Sequence, residues 1–77
     1  MMARVPAVTA QRLMRALEKA GFEVVRSTGS HHRLVHRDDA TRATTIPVQK
    51  GCDLPRPFVA AILKQARLTI EELVELL

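Results

Sequence analysis

A β-rich centre, interrupted twice by turn residues, most constrains what this 77-residue chain can fold into. The predicted strands are residues 22–26, 31–37 and 43–48. Thr28-Gly29-Ser30 stops the first strand, and Asp38 to Thr41 form a turn after the second. Pro47 cannot donate to a β-ladder, which places the third strand at a sheet edge or ends it at a break. Short turns between consecutive strands predict an antiparallel sheet.

Segments with helical periodicity flank this centre. The predicted helices are residues 10–20, 56–66 and 70–77. Thr9 is a natural N-cap for the first helix, and Gly21 supplies its C-terminal stop. Thr69 with Glu72 forms a capping-box signature for the last helix. The order α-β-β-β-α-α predicts one α+β domain over residues 1–77, with a three-stranded antiparallel sheet and the helices packed on one face.

The charge balance favours a polyanionic partner. Twelve Lys and Arg against eight Asp and Glu give a formal charge of +4. Nine of the twelve cations are arginines, whose guanidinium fork binds phosphate bidentately. Nucleic acid is the simplest partner for such a domain, although charge also keeps small proteins soluble. Phe22 and Phe58 are the only aromatic residues, which argues against a single-strand binder built on stacking platforms.

Cysteine content and hydropathy restrict the setting. Cys52 is the only cysteine, which excludes an internal disulfide and a thiolate-rich metal site. No apolar run reaches the length of about 18 residues that a membrane span needs, and we expect no signal peptide before the first helix. We therefore expect a soluble cytoplasmic protein with no membrane partner.

The three histidines of the chain all lie within residues 29–36. Histidine both accepts and donates protons near neutral pH. Strand alternation places His32 and His36 on one face, and His31 with Arg33 on the other. On a helix the i, i+4 pair His32 and His36 could share a metal ion, but on a strand they are about 13 Å apart. The sequence therefore predicts no metal site, and it predicts no cofactor. We expect His31 and His36 either to contact RNA or to be exposed without a specific role.

An enzyme that cleaves RNA does not have to supply a nucleophile, because RNA carries its own in the 2′-hydroxyl group. One imidazole as base, with cations on the phosphoryl oxygens, could suffice without metal. Arg12, Arg15 and Lys19 form a basic ridge at i, i+3, i+7 on the first helix. Phosphate contact is the functional interpretation of this ridge, and a solvated helix face is the alternative. Lys50, beside Gly51, is a further candidate phosphate contact.

Three motifs in order resemble the HicA (YcfA-like) family: Gly29-Ser-His-His32, Thr45-Ile-Pro-Val48 and Ile62-Leu-Lys-Gln-Ala66. Members of that family are toxins of type II toxin–antitoxin systems. The resemblance implies a metal-independent endoribonuclease that cleaves mRNA, a fold similar to a double-stranded-RNA-binding domain, and inhibition by a HicB-type antitoxin. It also implies that the last residue of Gly-Ser-x-His, here His32, is the catalytic histidine.

The resemblance gives the other residues of the motif supporting roles and leaves rival functions open. Gly29, Ser30 and His31 would support the site, with Arg33 among the RNA contacts. This chain departs from the family pattern at four positions, having Gln49 and Cys52 for a common histidine and lysine, and Pro57 and Arg67 for common glycines. A non-catalytic RNA-binding module on the same fold is the alternative function. A protein-interaction domain without RNA affinity is a third.

Overall fold

The computed structural model describes residues 4–48 and 52–77. Its elements are α1 (Ala10–Lys19), β1 (Phe22–Thr28), β2 (His31–His36), β3 (Asp39–Pro47), α2 (Arg56–Ala66) and α3 (Ile70–Leu76). The strands form one antiparallel sheet in the order β1-β2-β3. The predicted α+β architecture and element order are confirmed. No helix in these two ranges has the length and apolarity that a membrane crossing requires.

The core lies between the helices and one face of the sheet. Leu34 of β2 and Ile46 of β3 are fully buried. The helices bury apolar side chains against them: Leu13, Leu17, Val59, Ile62, Leu63 and Ala66. Because strand neighbours alternate, Arg33 and Thr45 point to the opposite face, where Arg33 is exposed and α2 borders only the β3 side. The helices therefore pack on one face, as predicted.

Helix α1 begins at the predicted residue, Ala10, and ends at Lys19, one residue before the predicted end, with Ala20 as its C-cap. The Thr9 side chain accepts a hydrogen bond from the backbone N–H of Arg12, which satisfies a free donor of the first turn. Gly21 follows the helix with φ +103°. A Cβ atom at this position would lie 2.9 Å from Nε2 of His36. Glycine is needed here both for its backbone conformation and for the space that His36 occupies.

Helix α3 begins with the predicted capping box. The N–H of Glu72 donates to Oγ1 of Thr69, and the N–H of Thr69 donates to the Glu72 carboxylate. The hydrogen bond from the Thr69 N–H, followed by the Thr69 side chain, holds the pKa of the Glu72 carboxyl below its usual value.

A two-residue turn, Gly29-Ser30, joins β1 to β2. Gly29 has φ +56°, the left-handed conformation that a type II′ hairpin requires at its first turn position. The turn sets Ser27 directly opposite His32. One extra residue in β1, Val25, then shifts the pairing. Without this bulge, Glu23 rather than Phe22 would stand opposite His36.

The second reversal of the chain is tighter than predicted. Only Arg37 and Asp38 form the turn, and β3 already begins at Asp39. The Asp39 carboxylate accepts from both the N–H and the hydroxyl of Thr41, an Asx arrangement that interrupts the β2–β3 pairing. Of the predicted turn at Asp38 to Thr41, only Asp38 lies in the observed turn, and residues 39–41 form an irregular stretch of β3. β1 also extends to Thr28, beyond the predicted end at residue 26.

Arg67 ends α2 in the left-handed conformation, with φ 57° and ψ 41°. This conformation costs a residue with a side chain about 1–2 kcal/mol. The exposed ion pair with Asp39, 3.5 Å, offsets little of this cost. We expect Arg67→Gly to raise the free energy of unfolding by about 1 kcal/mol in urea titrations. Arg67→Ala, which loses the ion pair but keeps the strain, should give no gain. Equal stabilities of the two variants would contradict this account.

Candidate active site

His32 lies on the central strand, two residues after the hairpin turn. It pairs with Ser27 of β1 on one side and with Ile46 of β3 on the other. It shares the helix-covered face with Leu34, yet it is only half-buried because it stands at the hairpin end of the sheet. The sheet therefore fixes the backbone of His32 on both sides, while its ring remains accessible to solvent.

Ser27 holds the ring of His32. Its Oγ lies 2.8 Å from Nδ1 of the imidazole, in an exposed hydrogen bond. Ser27 is not among the site residues that the sequence predicts. The signal was present, because a two-residue turn at Gly29-Ser30 pairs the residue two before it with the residue two after it.

This hydrogen bond gives the two ring nitrogens of His32 different environments. A serine hydroxyl can donate or accept, so it fits either tautomer of the ring. When Nδ1–H donates to Ser27, Nε2 carries the lone pair that a general base requires. Among the described residues no hydrogen bond engages Nε2. Of the two ring nitrogens of His32, Nε2 is therefore the one left open to a further partner.

His36 has a structural role, contrary to the expectation of RNA contact or plain exposure. Its ring packs edge-on against Phe22, with centroids 5.1 Å apart. Nδ1 accepts from the N–H of Asp38 at 3.1 Å, so the neutral ring carries its hydrogen on Nε2, which donates to the carbonyl of Ala20 at 3.1 Å. Both nitrogens are occupied, and His36 fastens the end of α1 to β2.

His31 and Arg33 project from the open face of the sheet, as the alternation predicted. With Arg26, Thr28 and Thr45 they line a groove of about 280 Å³. Arg33 donates to the hydroxyl of Thr45 at 3.3 Å. The structure thus brings two guanidinium groups and an imidazole together, on the face opposite to His32.

The basic ridge of α1 is present but lies elsewhere. Arg12, Arg15 and Lys19 line a groove with Leu76 and Leu77, and this groove shares no residue with the one that holds His31. Nζ of Lys19 donates to the carbonyl of Leu76 at 3.3 Å, where a cation also offsets the helix dipole of α3. Lys19 therefore contributes to packing as well as to surface charge.

The remaining predictions concern the hairpin turn, Lys50 and metal binding. Gly29 and Ser30 form the hairpin turn, and His32 lies two residues after it. Lys50 lies outside the described residues. Within residues 4–48 and 52–77, no three side chains of His, Cys, Asp or Glu are grouped so that they could hold a metal ion.

Fold and site together define a small, basic α+β domain with an accessible histidine held on the central strand of its sheet. In a comparison with models of protein families, residues 10–68 match the family described as HicA toxin of bacterial toxin-antitoxin. The chain belongs to the HicA toxin family, as its motifs indicated. No curated protein matches its sequence. Membership makes it a toxin component and implies an antitoxin partner.

The structural role of His36 can be tested without an activity assay. His36→Ala removes the contact with Phe22 and two hydrogen bonds, so we expect it to lower the free energy of unfolding by about 1–3 kcal/mol. His31→Ala, at the exposed histidine of the same strand, is the matched control and should change stability by less than about 0.5 kcal/mol. Equal losses in thermal unfolding would show that His36 has no special role.

Proposed function

We propose that this toxin is an endoribonuclease that cleaves mRNA, with His32 as its general base and without a metal ion. The observation that carries this proposal is the Ser27–His32 hydrogen bond of 2.8 Å, which occupies Nδ1 and directs Nε2 away from it. Membership in a toxin family supplies a biological context in which destruction of RNA would arrest growth.

The proposed reaction uses the nucleophile of the substrate itself. Nε2 of His32 takes the proton from a ribose 2′-hydroxyl, and the 2′-oxygen then attacks the adjacent phosphorus. The bond from phosphorus to the 5′-oxygen breaks, and that oxygen takes a proton from solvent. The products are a 2′,3′-cyclic phosphate and a 5′-hydroxyl. Ser27 keeps its hydrogen bond to Nδ1–H throughout, so the ring does not need to rotate when it gains the proton.

The cations of the domain would bind the RNA backbone. Among the described residues, Arg33 follows His32 in β2 but projects from the opposite, open face, and Arg12, Arg15 and Lys19 form a separate positive surface on α1. We include Lys50 among the phosphate contacts on its sequence position alone. Contacts of this kind position a nucleic acid without reading its bases.

The antitoxin that the family implies would be of the HicB type, and we propose that it covers His32. A formal charge of +4 favours an acidic partner surface, since complementary charges speed association. Inhibition then needs no change in the toxin, because a protein seated at the hairpin end of the sheet would exclude RNA from Nε2.

Loss of the base should abolish most cleavage. We expect His32→Ala to slow cleavage of a labelled transcript by about 10²–10⁴-fold, the usual contribution of general acid–base catalysis. A chelator should leave the wild-type rate unchanged. His31→Ala, whose ring points to the opposite face, should lose far less than His32→Ala.

Two outcomes would contradict the proposed chemistry. Full activity of His32→Ala would remove the base from the mechanism, and inhibition by the chelator would require a metal. Salt-sensitive binding of RNA without cleavage at any pH would favour the alternative function, a non-catalytic RNA-binding module.

Ser27 is a positioning residue, and its removal should affect turnover rather than binding. We expect Ser27→Ala to lower kcat by about ten-fold, the equivalent of one hydrogen bond, with KM nearly unchanged. Ser27→Thr keeps the hydroxyl and should retain most of the rate. If both variants lose activity equally and also unfold at lower temperature, the role of Ser27 would be structural only.

A further inference from the structure

Two grooves join on the open face of the sheet. The first contains Arg26 and Arg33, and the second, of about 300 Å³, lies between β3 and α2 and contains Phe58 and Gln65. His31 and Thr45 line both. We call the joined surface the open-face trough. It crosses all three strands, from Arg26 on β1 to Phe58 beyond the edge of β3.

We propose, on the basis of the RNA substrate inferred above, that the open-face trough binds single-stranded RNA, with one base stacked on Phe58 and backbone phosphates at Arg26 and Arg33. The trough would thus be a second contact region, separate from the cleavage site at His32.

Phe58 is the first observation in favour of a base. The chain has two phenylalanines, and Phe22 is 2% exposed in the core, whereas Phe58 is 51% exposed. Phe58 lies in the first turn of α2, which packs on the core through Val59 and Ile62. The fold therefore leaves an aromatic face unused at the end of a cationic groove, and aromatic faces bind bases of any sequence by stacking.

Gln65 is the second observation. The hydroxyl of Thr44, a fully buried residue, donates to Oε1 of Gln65 at 2.7 Å. This bond fixes the orientation of the amide and leaves its NH₂ group as a donor. No hydrogen bond from another described residue takes up that NH₂. An oriented donor beside an aromatic ring suits the edge of a stacked base, whose carbonyl and ring nitrogens accept hydrogen bonds.

The charges of the trough favour RNA over a protein partner. Neither groove has an acidic residue in its lining. Cations occupy one end and an aromatic ring with an amide the other, which matches the separation of phosphate and base within a nucleotide. Neighbouring strands are about 4.8 Å apart, so the trough spans roughly 10 Å of sheet. The open sheet of the RRM module carries bases in a comparable way.

The β1 edge connects the trough to the cleavage site. Arg26 and Ser27 are consecutive, and because of the bulge at Val25 Arg26 stands opposite Arg33 on the open face while Ser27 stands opposite His32. A strand of RNA that leaves the trough at Arg26 can pass around the edge of β1. It then reaches Ser27 and, opposite Ser27 on β2, His32. A base held at Phe58 would therefore set which nucleotide meets Nε2.

The test measures binding independently of cleavage. The probe is fluorescein-labelled octauridylate with 2′-fluoro groups, which lacks the attacking hydroxyl, and its Kd is measured by anisotropy with the wild-type protein and its variants. Phe58→Ala should weaken binding by about ten-fold, since stacking of one base contributes that much. Phe58→Leu should recover only part of the loss. Val74→Ala, at a residue 52% exposed on α3, is the matched control and should bind as wild type.

A second arm separates the base from the backbone. With an abasic oligonucleotide of the same length, Phe58→Ala should bind as tightly as wild type, whereas Arg33→Ala should weaken both probes and reduce the salt dependence of binding. Equal Kd values for Phe58→Ala and Val74→Ala on octauridylate would overturn the proposal. Because the probe cannot be cleaved, that failure is distinct from retained cleavage by His32→Ala, which would overturn only the proposed base.

Discussion

The two-residue turn at Gly29-Ser30 is the constraint on which the rest of the molecule depends. It sets the register of β1 against β2, and so places Ser27 opposite His32 and Arg26 opposite Arg33. A shift of one residue in a strand exchanges its faces, so a longer turn would put different side chains beside the imidazole. The bulge at Val25 then restores the register in which Phe22 enters the core. Together, the turn and the bulge place Ser27 opposite His32 at one end of the hairpin and bury Phe22 at the other end.

The two faces of the sheet differ in what they carry. The helix-covered face holds the core and, at its hairpin end, His32, whose Nε2 has no hydrogen-bond partner among the described residues. The open face carries His31, Arg33 and Arg26, all of them exposed. A small domain can bury little surface and has no room for a deep catalytic cleft. An accessible edge of the sheet, with charges arranged around it, is the form of site that such a fold can offer.

Most of the fold was predictable because its local signals agree with one another. Thr9, Gly21 and the Thr69–Glu72 capping box bound their helices as expected, and Arg67 takes the left-handed conformation for which the family commonly uses glycine. The start of β3 was wrong because Asp39 and Thr41 have turn-forming side chains but use them inside a strand. Three features could not be predicted from the sequence pattern: the contact of Ser27 with His32, the structural role of His36 and the hydrogen bond of Gln65. They depend on strand register and on contacts between elements, and hydrophobic periodicity gives information about neither. The scarcity of aromatic residues argues against a single-strand binder built on several stacking rings, whereas the proposed site on the open face needs only the one exposed ring of Phe58.

The central claim is that RNA supplies its own nucleophile and that His32 only removes its proton. Mass spectrometry of the fragments from a defined RNA oligonucleotide tests this most directly, because the termini record which oxygen attacked phosphorus. The account predicts 2′,3′-cyclic phosphate and 5′-hydroxyl ends, and no cleavage where the scissile nucleotide is 2′-deoxy. Fragments with 3′-hydroxyl and 5′-phosphate ends would show that water was the nucleophile and would contradict it.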